Sequence, residues 1–449
     1  MGIFGAITTA VTGLRAQSYA LENVAGNVAN SQTTAFKRVD TSFEDLIGDN
    51  PPSKQVAGSV IASSRSTNTV QGAVQNASVG TFMAINGDGF FVVEKPTNSA
   101  DGQPTFGSVE FYTRRGDFQQ DKNGFLVNGA GYYLMGNLVD PTTGNILGSV
   151  PHILKFQNDL LPAKATTQIQ YAANLPSYPF TPSHDTTVPN SELLAAATLT
   201  GGNVTGAHEA AFINQSISGG AVTAYDALGS PVNVQLRWGK TNSVANGGSD
   251  TWNLFYQTDS AATGAQVAWK NVGVDYVFGP NGQLNPPISS VTISAMTVNG
   301  TALGSVNLFH GTGITQFADT NGNAQINQLG QNGFAAGTLQ SVSVSDKGRV
   351  VGSYSNSLTI DLAEITLAKF NGSDFLKRLD GGAFEQTDES GPAILGAAGK
   401  ILGASLEGSN ADVADEFTKL IVTQQAYSAN TKVITTGNQM VQDLLNMLR

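Results

Sequence analysis

Two seven-residue apolar repeats, one at each end of the chain, constrain its fold more than any other feature. The N-terminal repeat consists of two rows three residues apart, with large apolar members Phe4, Ile7, Val11, Leu14, Leu21 and Val28. This spacing places both rows on one side of a helix, as in the seam of a coiled coil. It predicts an N-terminal helix that packs lengthwise on another helix. An amphipathic helix lying on its own domain has the same periodicity and remains an alternative.

The C-terminal repeat is longer. Its seam consists of Val413, Phe417, Leu420, Tyr427, Ile434, Val441, Leu445 and Leu448. Ser409 and Asp412 resemble a capping box, and the acidic residues that follow suit the positive end of a helix dipole. We therefore predict a helix over residues 410–448, about 58 Å long at 1.5 Å per residue. A helix of this length without breaks is typical of a coiled coil.

Glycines weaken both predicted helices. Gly13 and Gly26 interrupt the first and Gly437 the second, and a glycine costs about 1 kcal/mol relative to alanine within a helix. We therefore expect the two segments to be largely disordered in an isolated chain. They would fold when the two seams pair with each other and with copies of the chain, which indicates self-assembly.

The sequence between the two helices predicts β structure. Short apolar runs around turn residues predict hairpins over residues 81–95, 221–238 and 341–356, and a run of short strands over 111–136. Between Tyr276 and Ser345 the only Asp, Glu, Lys or Arg side chain is Asp319. Such an uncharged β surface is either an ordinary Ser/Thr/Asn-rich domain or a surface that contacts neighbouring subunits.

The predicted fold is a mainly β multidomain body with terminal α-helices that form a coiled-coil core domain. Residues 48–72, with the adjacent Pro51 and Pro52, predict an extended hinge. The predicted organisation has four parts: a helical domain of residues 1–30 and 410–449, an extended linker of 31–71 and 400–409, an inner β domain of 72–150 and 334–399, and an outer β domain of 151–333.

Composition excludes several classes of function. The formal net charge is −11 and charged residues make up 13% of the 449, so we expect no nucleic-acid partner. Basic residues cluster at most in pairs, which are Lys37-Arg38, Arg114-Arg115 and Lys377-Arg378. The chain has no cysteine, which excludes disulfides and thiolate chemistry. Its start lacks the basic segment of a cleaved signal peptide, and no apolar run is long enough for membrane insertion.

No motif for catalysis or for a cofactor is present. The histidines His152, His184, His208 and His310 are far apart and show no ligand spacing, so we predict no metal site and no enzyme activity. The stretch "DTNGNAQIN" (319–327) has the alternating oxygens of a weak cation site, but it lacks the terminal glutamate of an EF-hand loop. A turn is the favoured interpretation there.

Four motifs in order resemble one known family. They are "NVANSQTTAFKR" (27–38), "VQGAVQNASVGTFMAINGDGFFVV" (70–93), "YTRRGDFQQDKNGFLVNGAGYYLMG" (112–136) and "LEGSNADVADEFTKLIVTQQAYSANTKVITTGNQM" (406–440). These are similar to motifs of the rod, hook and hook-associated axial proteins of the bacterial flagellum. The large central insertion resembles the hook type of that family. One departure is Ala35, where the family usually has glycine.

The resemblance implies a structural subunit that polymerises into a curved, hollow and flexible tube, the flagellar hook. This tube joins rod to filament, transmits motor torque as a universal joint and carries exported subunits. Implied partners are copies of the chain, the rod, the hook cap, the hook–filament junction proteins and the flagellar type III export apparatus. Implied localisation is the extracellular hook and basal body, reached without a cleaved signal peptide. Candidate residues facing the channel are Gln424, Gln425, Asn430, Thr431 and Gln439.

Two other interpretations remain open from the residues. A distal rod or hook–filament junction protein would share the motifs and would form a straight assembly. A secreted β-domain adhesin with helical ends would keep its binding activity after its termini are removed, whereas a polymer subunit would lose assembly.

Overall fold

The computed structural model describes residues 2–46, 58–141, 143–157, 160–396 and 398–447. The chain divides into two compact units, one of Met1–Asp159 with Leu339–Arg449 and one of Leu160–Thr338. We call them the terminal unit and the central unit.

The terminal unit begins with α1 (Ile3–Ala29), which is followed by ten strands. These are β1 Val39–Leu46, β2 Ser59–Ser66, β3 Val74–Asn76, β4 Met83–Asn86, β5 Phe90–Ala100, β6 Gln103–Thr113, β7 Gln119–Gln120, β8 Leu126–Val127, β9 Tyr133–Leu138 and β10 His152–Ile153.

The central unit is built from strands and one short helix. In chain order these are β11 Leu160–Leu161, β12 Gln168–Leu175, β13 Val204–Thr205, α2 Glu209–Asn214, β14 Ile217–Tyr225, β15 Pro231–Asn242, β16 Asp250–Gln257, β17 Val267–Phe278, β18 Ser290–Val298, β19 Thr301–Phe309, β20 Ile314–Gln316 and β21 Gln325–Gln331.

The chain then returns to the terminal unit and ends in a long helix. The remaining elements are β22 Gly337–Val344, β23 Arg349–Tyr354, β24 Thr359–Ile365, β25 Leu367–Lys369, β26 Lys377–Arg378, β27 Ala383–Glu385, β28 Ile394–Leu395, β29 Lys400–Gly403, β30 Ser405–Glu407 and α3 Val413–Met447.

Two predicted hairpins are confirmed and one is wrong. β14 pairs with β15, and β22 pairs with β23, through the predicted turns. The predicted hairpin over 81–95 does not form, because β4 pairs with β29 rather than with β5. The physical reason is that Phe90–Val93 of β5 are almost wholly buried and pair with β6, β9 and β25 instead. A strand buried on both faces takes its partners from the interior of a sheet.

The structure also corrects the prediction of an extended linker. In its described part, β1 and β2 form an antiparallel hairpin from Val39↔Ser66 to Leu46↔Ser59, and residues 400–407 form β29 and β30, which pair with β4 and β3. The hairpin contacts α1, where Tyr19 and Ser64 hydroxyls lie 2.6 Å apart. β-branched residues and cross-strand hydroxyls support this pairing. Pro51 and Pro52 lie outside the described residues, and the four-part domain division stays a prediction.

The central unit is a β sandwich. One sheet has the order β18-β19-β12-β20 with β21 also on β12, and the other has the order β13-β17-β16-β15-β14. Side chains from both sheets form one core, which includes Tyr171, Trp238, Trp252 and Tyr276. Interdigitation of two inner faces is the usual way a sandwich is closed. On the other face of the second sheet, Phe212 of α2 packs against Phe255 and Trp269.

Candidate assembly site formed by the chain ends

The two terminal helices contact each other along a row of small and polar residues. On α1 the buried residues are Ala10, Gly13, Ala16, Ala20, Val24 and Asn27. On α3 they are Glu416, Thr423 and Gly437. A Cβ on Gly13 would lie 3.0 Å from the Asn430 amide, and one on Gly437 would lie 2.9 Å from Ile7. The glycines that weaken each helix alone therefore permit the close approach of the pair.

The row of residues through which α1 and α3 contact each other within one chain is not the predicted apolar seam. On α1, Phe4 is 75% exposed and Leu21 is 40% exposed, while Ile7, Val11, Leu14 and Val28 are half-buried. On α3, Val413, Phe417, Tyr427 and Leu445 are exposed, whereas Leu420, Ile434 and Val441 are half-buried. Leu448 lies outside the described residues. At 3.6 residues per turn the predicted α1 row lies about a third of a turn from the buried row. The predicted seam, as a contact between copies, stays a prediction.

The Asn-rich end of α1 joins this helix to the start of β1. The Asn27 amide donates to the Val39 carbonyl oxygen and accepts from the Val39 N–H, both at 2.9 Å. The same amide donates to the Glu416 carboxylate of α3 at 3.0 Å. Lys419 donates to Glu416 at 2.7 Å and to Asp40 at 3.0 Å. One polar network therefore fixes α1, β1 and α3 to one another.

The start of α3 differs from the prediction by three residues. Asp412 caps the helix, because its carboxylate accepts from the Ala414 N–H at 2.7 Å and from the Asp415 N–H at 3.3 Å. Ser409 instead accepts from the Ala411 N–H at 3.1 Å, ahead of the helix. The helix therefore begins at Val413 rather than at residue 410. An aspartate is a stronger cap here because it satisfies two free N–H groups and carries negative charge.

A buried ion cluster lies where the motifs of the sequence meet. Lys37, Arg114 and Glu407 have side chains that are at most 1% exposed. The Lys37 ammonium lies 2.5 Å from one Glu407 carboxylate oxygen, and the Arg114 guanidinium lies 3.4 Å from the other. The Gly72 N–H also donates to Glu407, at 2.8 Å. Each of these four residues belongs to a different one of the four motifs.

Burial controls the electrostatics of the cluster. It lowers the pKa of the Lys37 ammonium and that of the Arg114 guanidinium, and the Glu407 carboxylate opposes both shifts. Backbone oxygens complete the site, since Lys37 donates to the Val70 carbonyl at 2.6 Å and Arg114 to the Gly87 carbonyl at 2.7 Å. Sequence reasoning missed this cluster. The available signal was the recurrence of charges inside motifs of a chain that is poor in charge.

The face of α3 that lies away from α1 carries a stripe of uncharged polar side chains over its C-terminal two thirds, and the exposed Lys432 and Asp443 also lie on this face. This polar stripe consists of Gln424, Ser428, Thr431, Thr435, Gln439, Gln442 and Asn446, all of them exposed. It contains three of the predicted channel residues, and Gln425 is exposed beside it. Asn430 is a correction, because it faces Gly13 of α1. Asn430 follows Thr423 and precedes Gly437 by seven residues, so it shares their side of the helix.

Two apolar flanks border the polar stripe on α3. Flank A consists of Val413, Leu420, Tyr427 and Leu445, and flank B consists of Val422, Val433, Met440 and Leu444. Tyr427 and Leu445 are 46% and 58% exposed, and Val433 and Met440 are 47% and 48% exposed. Exposed apolar side chains that share one side of a helix are typical of interaction surfaces. The helix therefore presents two apolar contact surfaces besides the one occupied by α1.

The remaining motifs take structural roles. His310 is buried, with its Nε2 2.8 Å from the Tyr276 hydroxyl, and His184 stacks on Phe180. The stretch 319–327 begins with a turn, as predicted, in which the Asp319 carboxylate accepts from the N–H groups of Asn321 and Asn323, and it ends in β21. Within the described residues there is no group of three or more potential metal-ligating side chains, and no helix there has the length and hydropathy of a membrane span.

Three family models match separate parts of the chain. Residues 84–158 match the flagellar hook protein FlgE/F/G D1 domain, and residues 209–334 match the flagellar basal body protein FlaE D2 domain. Residues 403–447, which include all of α3, match the C-terminal region of the flagellar basal body rod FlgEFG proteins. The matches define the class of protein, which is that of the axial proteins of the flagellum.

Full-length relatives narrow this class. The flagellar hook protein FlgE of Brucella melitensis is 31% identical and matches 100% of both chains. The hook proteins FlgE of Salmonella typhimurium and Escherichia coli are each 29% identical over 98% of this chain, and they are covered over 98% and 100% of their own length. The crystal structure of Helicobacter pylori flagellar hook protein FlgE2 matches with a TM-score of 0.49 and 13% identity, covering 73% of this chain and 98% of that one. The chain belongs to the flagellar hook protein FlgE family.

Proposed function

We propose that the chain is the structural subunit of a flagellar hook and that it assembles with copies of itself into a curved, hollow and flexible tube. The observation that carries the proposal is full-length similarity to hook proteins, combined with terminal helices that leave two apolar flanks exposed. The tube joins rod to filament and transmits motor torque as a universal joint. Its function is mechanical, and no catalytic step is assigned to it.

In this proposal the terminal helices form a coiled-coil core at the inside of the tube. Alanine and glycine bury little apolar surface, so α1–α3 pairing within one chain contributes less stability than a leucine-rich seam would. The large side chains of the predicted seam remain available for neighbouring copies. The single chain has both segments helical, whereas disorder of the free ends in solution before assembly is a separate prediction. Circular dichroism of the unassembled chain tests it, since disorder predicts a gain of helix signal on polymerisation.

The polar stripe of α3 forms the wall of the export channel in this proposal. Amide and hydroxyl side chains without formal charge neither attract nor repel an unfolded polypeptide strongly. Gln424, Gln425, Thr431 and Gln439 are the channel candidates that remain. Changing Gln424 and Thr431 together to glutamate should slow export of later subunits, measured as their secretion rate. Unchanged secretion would contradict the assignment.

The β regions form outer layers whose contacts slide as the tube bends. The central unit has few charges on its strands, so its contacts with neighbours are weak and not fixed by ion pairs. The buried ion cluster stiffens the connection between the helices and the β body of the terminal unit. Deletion of residues 151–333 should change the curvature or flexibility of the tube more than the export of the subunit. A deletion that blocked export and preserved curvature would contradict this layered arrangement.

Assembly partners follow from the proposed role. They are copies of the chain, the rod at one end, the hook–filament junction proteins at the other, and the hook cap and type III export apparatus during growth. Export would proceed without a cleaved signal peptide, to the hook outside the cell. Retention of the N-terminal sequence in the mature protein, measured by mass spectrometry of isolated hooks, tests the mode of export.

Salt-induced polymerisation of the purified chain, followed by electron microscopy, tests the proposed function. The full-length chain should form curved tubes, and chains lacking residues 2–29 or 413–447 should form none. A straight assembly would favour the second candidate, a distal rod or junction protein. The match of residues 403–447 to rod proteins supports this candidate. A full-length chain that forms no polymer would overturn the proposal.

A further inference from the structure

An apolar groove lies between the N-terminal part of α1 and flank B of α3. Its walls include Ile3 and Ile7 of α1 and Val433 and Met440 of α3, and its volume is about 420 Å³. Lys432 and Thr436 also line it, so the groove is mainly apolar. The buried Gly437 forms its floor, because Ile7 approaches α3 at that point. Volume and lining lie within the range of pockets that bind apolar groups. We call this feature the α1–α3 groove.

Among the residues that the structure describes, none fills the groove with an apolar side chain. Val433 and Met440 remain about half exposed at its rim. A second groove from another copy cannot fill it, since two concave surfaces leave a void between them and a void forfeits the contacts of its lining. The partner must therefore present a convex apolar row.

Flank A of α3 is such a row. Leu420 and Tyr427 lie seven residues apart, and Leu445 lies on the same side of the helix about 27 Å further along the axis. The exposed members, Val413, Tyr427 and Leu445, are large side chains. Flank A lies on the other side of α3 from the groove, so one molecule cannot insert its own flank A into its own groove. The two surfaces differ and are not self-complementary. A contact between such surfaces is heterologous, and it generates a ring or an open helical filament rather than a closed dimer.

We propose that the α1–α3 groove of one copy receives flank A of α3 of the next copy, which makes this head-to-tail contact the repeating link of the polymer. The inference rests on the proposed function, since it names the partner of the helical assembly site and the residues on both sides of the contact. It also orders the surfaces of α3: α1 on one side, a neighbour on each flank, and the polar stripe between the flanks.

Cysteine cross-linking tests the contact directly, because the chain contains no cysteine. Three double variants combine Met440→Cys with Leu420→Cys, Tyr427→Cys or Leu445→Cys. Within one helix, residues 420 and 427 lie about 30 Å and about 20 Å from residue 440 along the axis, and residue 445 lies about 7.5 Å away on another side. A disulfide needs Cα atoms within about 7 Å, so bonds within one chain are excluded.

The expected result is a ladder of covalent multimers from at least one double variant after polymerisation and mild oxidation. Each single-cysteine variant should remain monomeric on a denaturing gel. A dimer formed by Met440→Cys alone would overturn the proposal, because it would show that the groove contacts its own copy. Tubes of normal appearance in which no double variant cross-links would also overturn it, while the proposed hook function would stand. Absence of any polymer would overturn both.

A matched pair of charge variants gives a second readout. Met440→Asp places a carboxylate at the rim of the groove, where burial by a neighbour is costly. It should raise the critical concentration for polymerisation by about tenfold or more. Leu228→Asp adds the same charge at an apolar site of the central unit that is 86% exposed, and it should change the critical concentration less than twofold. Equal effects of the two variants would contradict the assignment of the groove as the contact.

Discussion

The central unit buries large apolar side chains that the terminal helices leave exposed. The chain has three tryptophans, and all of them lie in the central unit with at most 2% exposure. On α1 and α3, by contrast, Phe4 is 75% exposed and Met447 is 81% exposed. The helices contact each other mainly through small and polar side chains, with Ile7 and Val24 as larger apolar members, and several other large side chains remain exposed.

This contrast separates folding from assembly. A sandwich whose inner faces interdigitate gains its apolar burial within one chain. The helices lack that gain in a single chain, and in the proposed polymer part of their burial comes from other copies. Four substitutions test this difference between the two regions.

The largest effect is expected from Trp238→Ala in the central unit. Trp238 is fully buried, and its indole N–H donates to the Tyr171 hydroxyl at 2.8 Å. The cavity and the lost hydrogen bond should lower the free energy of unfolding by about 3–5 kcal/mol. Urea denaturation, followed by the fluorescence of Trp252 and Trp269, measures the loss. Leu228→Ala, at a site that is 86% exposed, should change the free energy of unfolding by less than about 0.5 kcal/mol. Similar losses at both sites would contradict a core that is stable within one chain.

Glu407→Gln should destabilise the terminal unit by about 3 kcal/mol. The change leaves the Lys37 and Arg114 charges buried without their anion, and removal of one partner from a buried ion cluster typically costs this much. Limited proteolysis in rising urea, with cleavage near β30 as the readout, reports the loss. The control is Glu385→Gln, whose ion pair with Lys377 is exposed and should contribute less than about 1 kcal/mol. Comparable proteolysis of the two variants would show that the cluster does not stabilise this unit.

Acid should weaken the central unit through His310. Burial lowers the pKa of this imidazole below its usual value of 6.5. Its Nδ1–H donates to the Tyr171 carbonyl oxygen at 3.0 Å, and its Nε2 lies 2.8 Å from the Tyr276 hydroxyl. The unfolded chain binds the proton first, so the stability is present above pH 6.5 and is lost as the pH falls below it. The loss approaches at most about 1.4 kcal/mol per pH unit.

The measurement is urea denaturation of the central unit at several pH values between 7.5 and about 5. His310→Gln should remove most of this slope, while His152→Gln, at an exposed site in the terminal unit, should keep it. A slope that survives His310→Gln would assign the acid sensitivity to other groups.

The smallest effect is expected from Ala35→Gly, and it is stabilising. Ala35 has a φ of 53°, where a side chain costs about 1–2 kcal/mol, and its N–H donates to the Glu407 carbonyl oxygen at 2.8 Å. Glycine removes that cost and loses about 0.5–1 kcal/mol of chain entropy, so a gain of up to about 1 kcal/mol should appear in the same proteolysis assay. Ala368→Gly, at a buried β25 position without a positive φ, should destabilise instead. A loss of stability in both variants would mean that the methyl group of Ala35 contributes more than its strain costs.

Local signals predicted the parts of the fold in which neighbours in sequence are neighbours in space. The hairpin of β14 and β15 and that of β22 and β23 follow from turn residues between alternating runs. The partner of β4 could not be predicted in this way, because β29 is more than 300 residues away. The Asn-Gly-Asp-Gly turn after β4 carries no information about that distant strand.

In the candidate site, too, local signals predicted some features and missed those that depend on distant residues. Periodicity predicted both terminal helices, and α3 was misplaced at its start by three residues. It did not predict which side of each helix faces the other, since apolar residues occupy more than one side of α3. Asn430 was placed in the channel on composition, although the turn of the helix directs it to Gly13.

The sequence by itself determined that this chain has two long terminal helices, a β body between them and membership of the axial proteins of the flagellum. These follow from periodicity, turn chemistry and motifs, which are local properties of the chain. Which faces of the helices are buried and which are exposed is visible only in the tertiary structure. The same is true of the contact between Lys37, Arg114 and Glu407. Packing and burial depend on residues far apart in sequence, and their free energies are set by three-dimensional neighbours that no local pattern encodes.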